Sequence, residues 1–195
     1  MKKILLLLII LVSINLAYAK DYYWEDITTH LYINKDSTVD VIENQTFNFQ
    51  GPFAFAFRYF HFDEIDSVEN IKIYENEKEI TNKNIYNEKG KGFVKWFYNA
   101  NDEVRTFTLN YKVTGLVKPE FKKDKIFWTA VFKDHEKKVK NARLYIHFPE
   151  NINPEEIIFR TSPDSLFEVI DESTLLFASD SQLEPYTPFD VEVKF

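Results

Sequence analysis

The sequence predicts an all-β protein, an antiparallel β-sandwich of about ten strands, on three observations. Apolar residues recur with period two along most of the chain. Short turn-forming clusters separate the runs, without the spacing of βαβ units. Aromatic side chains are abundant, with 19 Phe, 11 Tyr and 3 Trp among 195 residues, and most phenylalanines fall on the inward parity.

Taken in order, Ile27, Thr29, Leu31 and Ile33 share one parity and lead to a turn at Asn34-Lys35-Asp36-Ser37. Val39, Val41, Phe47 and Phe49 resume the alternation and complete a hairpin, which Gly51-Pro52 ends. Phe53, Phe55 and Phe57 then alternate with Ala54 and Ala56. The apolar parity next shifts to Phe60 and Phe62, predicting a bulge or a change of strand partner. Short strands are expected at 71–74, at Ile80 and around Tyr86. Gly90-Lys91-Gly92 introduces 93–98, and Asn99-Ala100-Asn101-Asp102 turns the chain. Phe107, Leu109, Tyr111 and Val113 alternate with polar residues, the pattern of a strand with one buried face. Further strands fall at 126–132, 142–148, 157–159, 167–170, 174–178 and 189–195. The helical candidate is a single turn at Asn153-Pro154-Glu155-Glu156.

Residues 1–19 read as a secretory signal peptide. Met1-Lys2-Lys3 is basic, residues 4–14 are apolar apart from Ser13, and Ala17-Tyr18-Ala19 supplies the small residues of a cleavage site. The alternative is an uncleaved N-terminal anchor, but its apolar run is shorter than the ~20 residues that a spanning helix needs. Residues 20–195 then form one exported, surface-associated or secreted β-sandwich domain without a further segment of spanning length.

Zero cysteines exclude disulfide staples, thiolate metal sites and cysteine nucleophiles. The acidic balance, −7 overall, argues against nucleic acid as a partner. Basic charge is concentrated in residues 116–143, with 9 cationic against 4 acidic groups, while residues 144–195 hold 2 against 11. That basic block could meet anionic headgroups or polymers, but a solvated face near the acidic C-terminal strands is the favoured reading.

Motifs for chemistry are sparse. No nucleophile elbow, HExxH or Walker loop is present. His30, His61, His135 and His147 are scattered, with none at ligand spacing, and His30 and His147 fall on the polar parity of their strands. Asp63-Glu64-Ile65-Asp66 lacks the glycine and spacing of a calcium loop and reads as a solvated acidic turn. No cofactor, metal or catalytic set is expected. Asn44 heads the sequon Asn44-Gln45-Thr46 on the outer parity of its strand, a glycosylation candidate.

Two charges occupy apolar surroundings. Glu43 shares the inward parity of Val41 and Phe47, and Arg58 lies alone among the aromatics of residues 53–62. An inward carboxylate and guanidinium must be paired or hydrogen-bonded. The expectation is that Glu43 meets Arg58 or that Arg58 stacks on a ring, the alternative being a bulge that turns Glu43 outward.

The order of features resembles the N-terminal extracytoplasmic domain of the domain-of-unknown-function family 2207, predicted membrane proteins of bacteria and archaea. The resemblance rests on the signal segment, Ser37-Thr38-Val39-Asp40-Val41-Ile42-Glu43, Phe57-Arg58-Tyr59-Phe60, residues 107–113, Ile126-Phe127-Trp128 and Leu144-Tyr145-Ile146-His147-Phe148-Pro149. It implies a β-sandwich outside the membrane with no established activity. Family members continue into transmembrane helices, which makes a neighbouring membrane protein a partner to consider.

The function expected is that of a non-enzymatic interaction module whose partner is a protein or glycan at the cell surface. The alternatives are a carbohydrate-binding sandwich using exposed aromatics such as Tyr22, Tyr23 and Trp24, and, third, a hydrolase using acidic residues. Three solvent-facing rings on one sheet would favour sugar binding.

Overall fold

The computed structural model describes residues 20–88 and 91–195. The expected signal segment, residues 1–19, and Gly90 lie outside the described residues. Strand makes up 68% of the described residues and helix 2%, so the fold is all-β and mostly antiparallel.

β1 (Asp21–Ile33) and β2 (Val39–Gln50) form the expected hairpin. β3 (Pro52–His61), β4 (Ser67–Glu75), β5 (Lys78–Glu79), β6 (Lys83–Glu88), β7 (Lys91–Asn101) and β8 (Val104–Thr114) follow. β9 (Val117–Glu120), β10 (Lys123–Val131), β11 (Ala142–His147), β12 (Ile158–Ser162), β13 (Ser165–Asp171), β14 (Thr174–Ser179) and β15 (Phe189–Lys194) come last. Alternation shows about ten of these strands, because pieces as short as β5 and β9 are too brief to display a period. The helical turn is a 3-10 turn at Pro154–Glu156, where Asn153 Oδ1 accepts from the Glu155 N–H at 3.2 Å.

The strands form three sheets. The largest has the order β13-β14-β11-β1-β2-β8-β4-β5, and the smaller ones are β12-β15-β10-β9 and β3-β7-β6. β1 and β11 run parallel, whereas the other paired strands are antiparallel. Odd positions of β1 after residue 26, of β2 and of β8 point to one face, where Ile27, Leu31, Val41, Phe47, Phe107 and Leu109 are buried. The small sheets cover that face. Trp96 of β7 stands edge-on to Phe107 of β8 at 5.7 Å, and Phe132, just after β10, stands edge-on to Trp24 of β1 at 6.0 Å. These groups belong to one continuous core.

One glycine is required by space as well as by backbone. Gly115, after β8, has φ +72°, and a Cβ there would lie 2.3 Å from Asp66 Cγ. That contact seats the acidic turn after β3 against the end of β8, with the Asp66 N–H bonded to the Thr114 carbonyl at 2.8 Å.

Phe107→Ala is expected to cost about 3–5 kcal/mol, because the ring is fully buried. Phe121→Ala, at a side chain 98% exposed, is expected to stay within about 0.5 kcal/mol of the parent. Urea unfolding of both variants measures the contrast, and equal losses would refute the core assignment.

Candidate functional site

Two register shifts decide which side chains meet between the layers. One lies between Trp24 and Asp26 of β1, the other between Phe53 and Phe55 of β3. Past its shift, β3 turns Ala56, Arg58 and Phe60 inward. Arg58 Nε then donates to Glu43 Oε1 and Oε2 at 2.9 and 3.1 Å, with both side chains at most 5% exposed.

A network completes the pair. The Tyr111 hydroxyl donates to Glu43 Oε2 at 2.9 Å, Gln45 Nε2 donates to Glu43 Oε1 at 2.5 Å, and Trp24 Nε1 donates to Gln45 Oε1 at 3.3 Å. Arg58 Nη1 donates to the Tyr59 carbonyl. The guanidinium also lies 5.3 Å from the Phe60 ring centre and 5.2 Å from that of Phe132. Burial works against the Arg58 charge, yet the Glu43 carboxylate holds its pKa above the ordinary value. Burial, then Glu43, pushes the Tyr111 phenol well above its usual range. The two buried charges are therefore paired with each other, and Glu43 also accepts from Tyr111 and Gln45.

The inward turn of Arg58 sends Phe55, Phe57 and Tyr59 outward. The shift of apolar parity from Phe57 to Phe60 thus marks a strand with rings on both faces, and the bulge itself lies earlier, at Ala54. Beside the edge of β3 opens a cleft of about 620 Å³, lined by Tyr22, Trp24, Phe53, Phe57, Tyr59 and Phe132 among others. A second hollow, about 330 Å³, continues past Tyr59 and Phe132 towards Asp63, Glu64 and Asp190. Residues 132–136 form the far wall and are pinned in place. His135 is buried, with Nδ1 2.7 Å from the Lys137 carbonyl and Nε2 2.8 Å from that of Thr187, and the Tyr186 N–H donates to the His135 carbonyl at 2.8 Å. Burial, then the Asp134 carboxylate, raises the Tyr59 phenol.

Trp24 is not the open ring expected from the sequence. It is 3% exposed, because the shift before Asp26 gives even positions the inward parity at the start of β1. Tyr22 shares that parity and is half-buried; burial, then Glu136, raises its phenol to about 12. Tyr23 points the other way, its hydroxyl donating to Glu25 at 2.8 Å and its ring lying 4.5 Å under Lys140 Nζ. Asn44 lies half-buried on the outer face of β2, where its Oδ1 accepts from the Thr108 hydroxyl at 2.7 Å. The basic block lies beside the C-terminal strands, β10 pairing with β15 and β11 with β14, but three of its cations pair with acids of β1, while Lys118 meets Glu64 and Lys125 meets Glu120. Lys137 meets Asp21 at 2.7 Å, Lys140 meets Glu25 at 2.8 Å and Arg143 meets Asp26 at 2.5 Å, since this stretch of chain runs alongside β1.

The parallel pairing of β1 with β11 brings together two histidines that lie far apart in sequence. His30 Nδ1 and His147 Nε2 are 3.0 Å apart, in a stacked row with Tyr145 and Tyr32 on the outer face of the large sheet. Burial, then Arg143, lowers the pKa of His30; burial, then His30, lowers that of His147. Among the described residues, no three of His, Asp or Glu converge to hold a metal ion.

The family model described as the predicted membrane protein (DUF2207) N-terminal domain matches residues 24–195. No curated protein matches the chain by sequence. Solved structures of similar fold include native leukotriene A4 hydrolase from Saccharomyces cerevisiae, at 10% identity and TM-score 0.56, covering 89% of this chain and 29% of that one. A variant of the M1 zinc metallopeptidase from Deinococcus radiodurans is similar at 10% identity and TM-score 0.52, covering 88% and 42%. The chain thus spans well under half the length of either protein, and at this identity the likeness is one of fold alone.

Removing one partner of the buried pair strands the other. Arg58→Met and Glu43→Leu are each expected to cost about 3–5 kcal/mol, and the double variant clearly less than their sum. A double-mutant cycle by chemical unfolding measures this; simple additivity would mean that the two charges are not coupled.

Because the pKa values of His30 and His147 are depressed in the folded state, the unfolded chain binds more protons below its own histidine pKa, near 6.5. Stability is therefore full above about pH 6.5 and is lost as pH falls through the lower folded values. Thermal unfolding at pH 7.5 and pH 5 should show a smaller loss in His147→Gln than in the parent, and an unchanged loss would exclude the pair as its source.

Proposed function

Since the chain belongs to the DUF2207 family, as the N-terminal domain of predicted membrane proteins, we propose that it is a non-enzymatic interaction module held outside the membrane. Among the described residues no helix is long and apolar enough to cross a bilayer. The observation that carries the reading is the aromatic cleft together with the outer face of the β3-β7-β6 sheet. Phe55, Phe57 and Tyr86 stand 44%, 38% and 44% exposed there, beside Tyr59 and Phe93. A contiguous ring surface on a rigid sheet is the composition of a contact patch.

Carbohydrate binding is the second reading, favoured by those same three exposed rings on one sheet. A sugar stacks on an open ring face, and here two faces are already covered. Lys95 Nζ sits 3.7 Å over the Phe55 ring, and Phe93 lies flat against Tyr86 at 5.1 Å. That crowding supports a protein partner over a glycan.

A photo-crosslinking amino acid placed at Phe57, in cells producing the protein, is expected to give one discrete adduct with a membrane or surface protein. The same group at the exposed Phe121, outside the patch, should give none. Indistinguishable labelling at both positions would overturn the reading, and saturable binding on a glycan array would replace it with the carbohydrate one.

A further inference from the structure

The cleft and the second hollow lie along one line, the free edge of β3. We propose that this edge takes up an extended segment of a partner protein as an added strand, and that this segment is apolar at alternate positions and bears lysine or arginine. The proposal rests on the interaction-module reading and specifies the partner's form.

β3 is, among the described residues, the terminal strand of its sheet and pairs only with β7. Among the described residues, no backbone hydrogen bond outside that ladder reaches Pro52–His61, and two of its carbonyls accept from side chains, that of Phe55 from the Tyr98 hydroxyl at 3.1 Å and that of Tyr59 from Arg58 Nη1. A second edge faces the same groove. β9 covers β10 only as far as Ile126, so residues 127–131 have no strand partner on that side among the described residues, and Phe127 and Thr129 line the hollow together with residues 58–61 of β3. Two rows of peptide groups without strand partners therefore border one groove, the arrangement that β-strand addition uses. Regular pairing of β3 begins past the Ala54 bulge, leaving residues 55–61, a span of about 23 Å at ~3.3 Å per residue.

Side-chain chemistry selects the occupant. Alternate residues of an added strand would project towards the rings of Tyr22, Phe53, Phe57 and Phe132 that line the cleft. The lining carries five carboxylates against Lys20 and Lys133: Asp134 and Glu64 already meet Lys91 at 3.4 Å and Lys118 at 3.9 Å, while Asp63, Glu136 and Asp190 have no salt bridge among the described residues, and the charge of Arg58 is matched by Glu43. A basic segment is complementary, and an acidic one is repelled. A second copy offering its own β3 brings no free cation in Pro52–His61, since the arginine of that strand is buried. The His135 anchors keep the far wall in place before any partner arrives, which lowers the ordering cost of binding.

The test uses the full-length protein and a library of nine-residue peptides, with Val, Ile, Phe or Tyr at odd positions and Thr, Lys, Arg, Asp or Glu at even ones. Selection is expected to enrich lysine and arginine over aspartate and glutamate. N-methylation of alternate peptide nitrogens should weaken the best binders about tenfold or more, as expected when strand hydrogen bonds worth ~1.4 kcal/mol in total are lost. Hydrogen exchange should slow at residues 55–61 when the peptide is bound. Equal affinity of both N-methylated registers, or protection elsewhere only, would overturn strand addition while leaving an aromatic contact surface. Absence of any binder, with the Phe57 adduct still formed, would also overturn it; absence of both would remove the interaction-module reading as well. Slowed exchange at residues 55–61 that depends on protein concentration without peptide would make the occupant a second copy and overturn the partner assignment.

Discussion

The ion pair between Arg58 and Glu43 governs how the small β3 sheet lies over the large one. A guanidinium in this core has one acceptable neighbourhood, where a carboxylate meets Nε and aromatic faces flank the remainder. Satisfying it fixes the inward parity of β3 after its bulge. Once Arg58 faces in, Phe55, Phe57 and Tyr59 must face out, since adjacent residues of a strand occupy opposite faces. The exposed aromatic surface thus follows from a buried charge.

The groove inherits its character from the same arrangement. Its floor is the ring cluster around Trp24 and Phe47, its near side is an edge strand, and its far wall is held by the two backbone contacts of His135. Neutralisation of Arg58 from below leaves the acids of the rim as the prevailing charge. A concave, ring-lined and acidic channel beside peptide groups without strand partners is unlike the outer face of the large sheet, where Lys140 pairs with Glu25 and Arg143 with Asp26.

Much of the fold was legible in the sequence because period-two alternation reports directly which strand face is buried. The β1–β2 hairpin and the one-sided strand β8 read correctly for that reason. The inward parity of Glu43 was legible as well, and so was the need of both buried charges for partners. Trp24 misled because one extra residue at the Trp24–Asp26 bulge reverses parity without a compositional mark. Phe55 and Phe57 misled for a related reason. Alternating phenylalanine and alanine resembles a buried face, yet past the bulge it is the small Ala56 that lies on the inward side with Arg58.

What the sequence determined by itself is local: the all-β class, most strand positions, the cysteine-free aromatic core and the resemblance that family membership bears out. The tertiary structure decided whatever depends on strands distant in sequence. It chose the parallel neighbour that sets His30 against His147, the pairing of the basic block with β1, and the placement of β3 and β10 on either side of one groove. The physical reason is that alternation specifies a face, whereas strand order and pairing between sheets depend on the long-range packing of those faces, which no local pattern records.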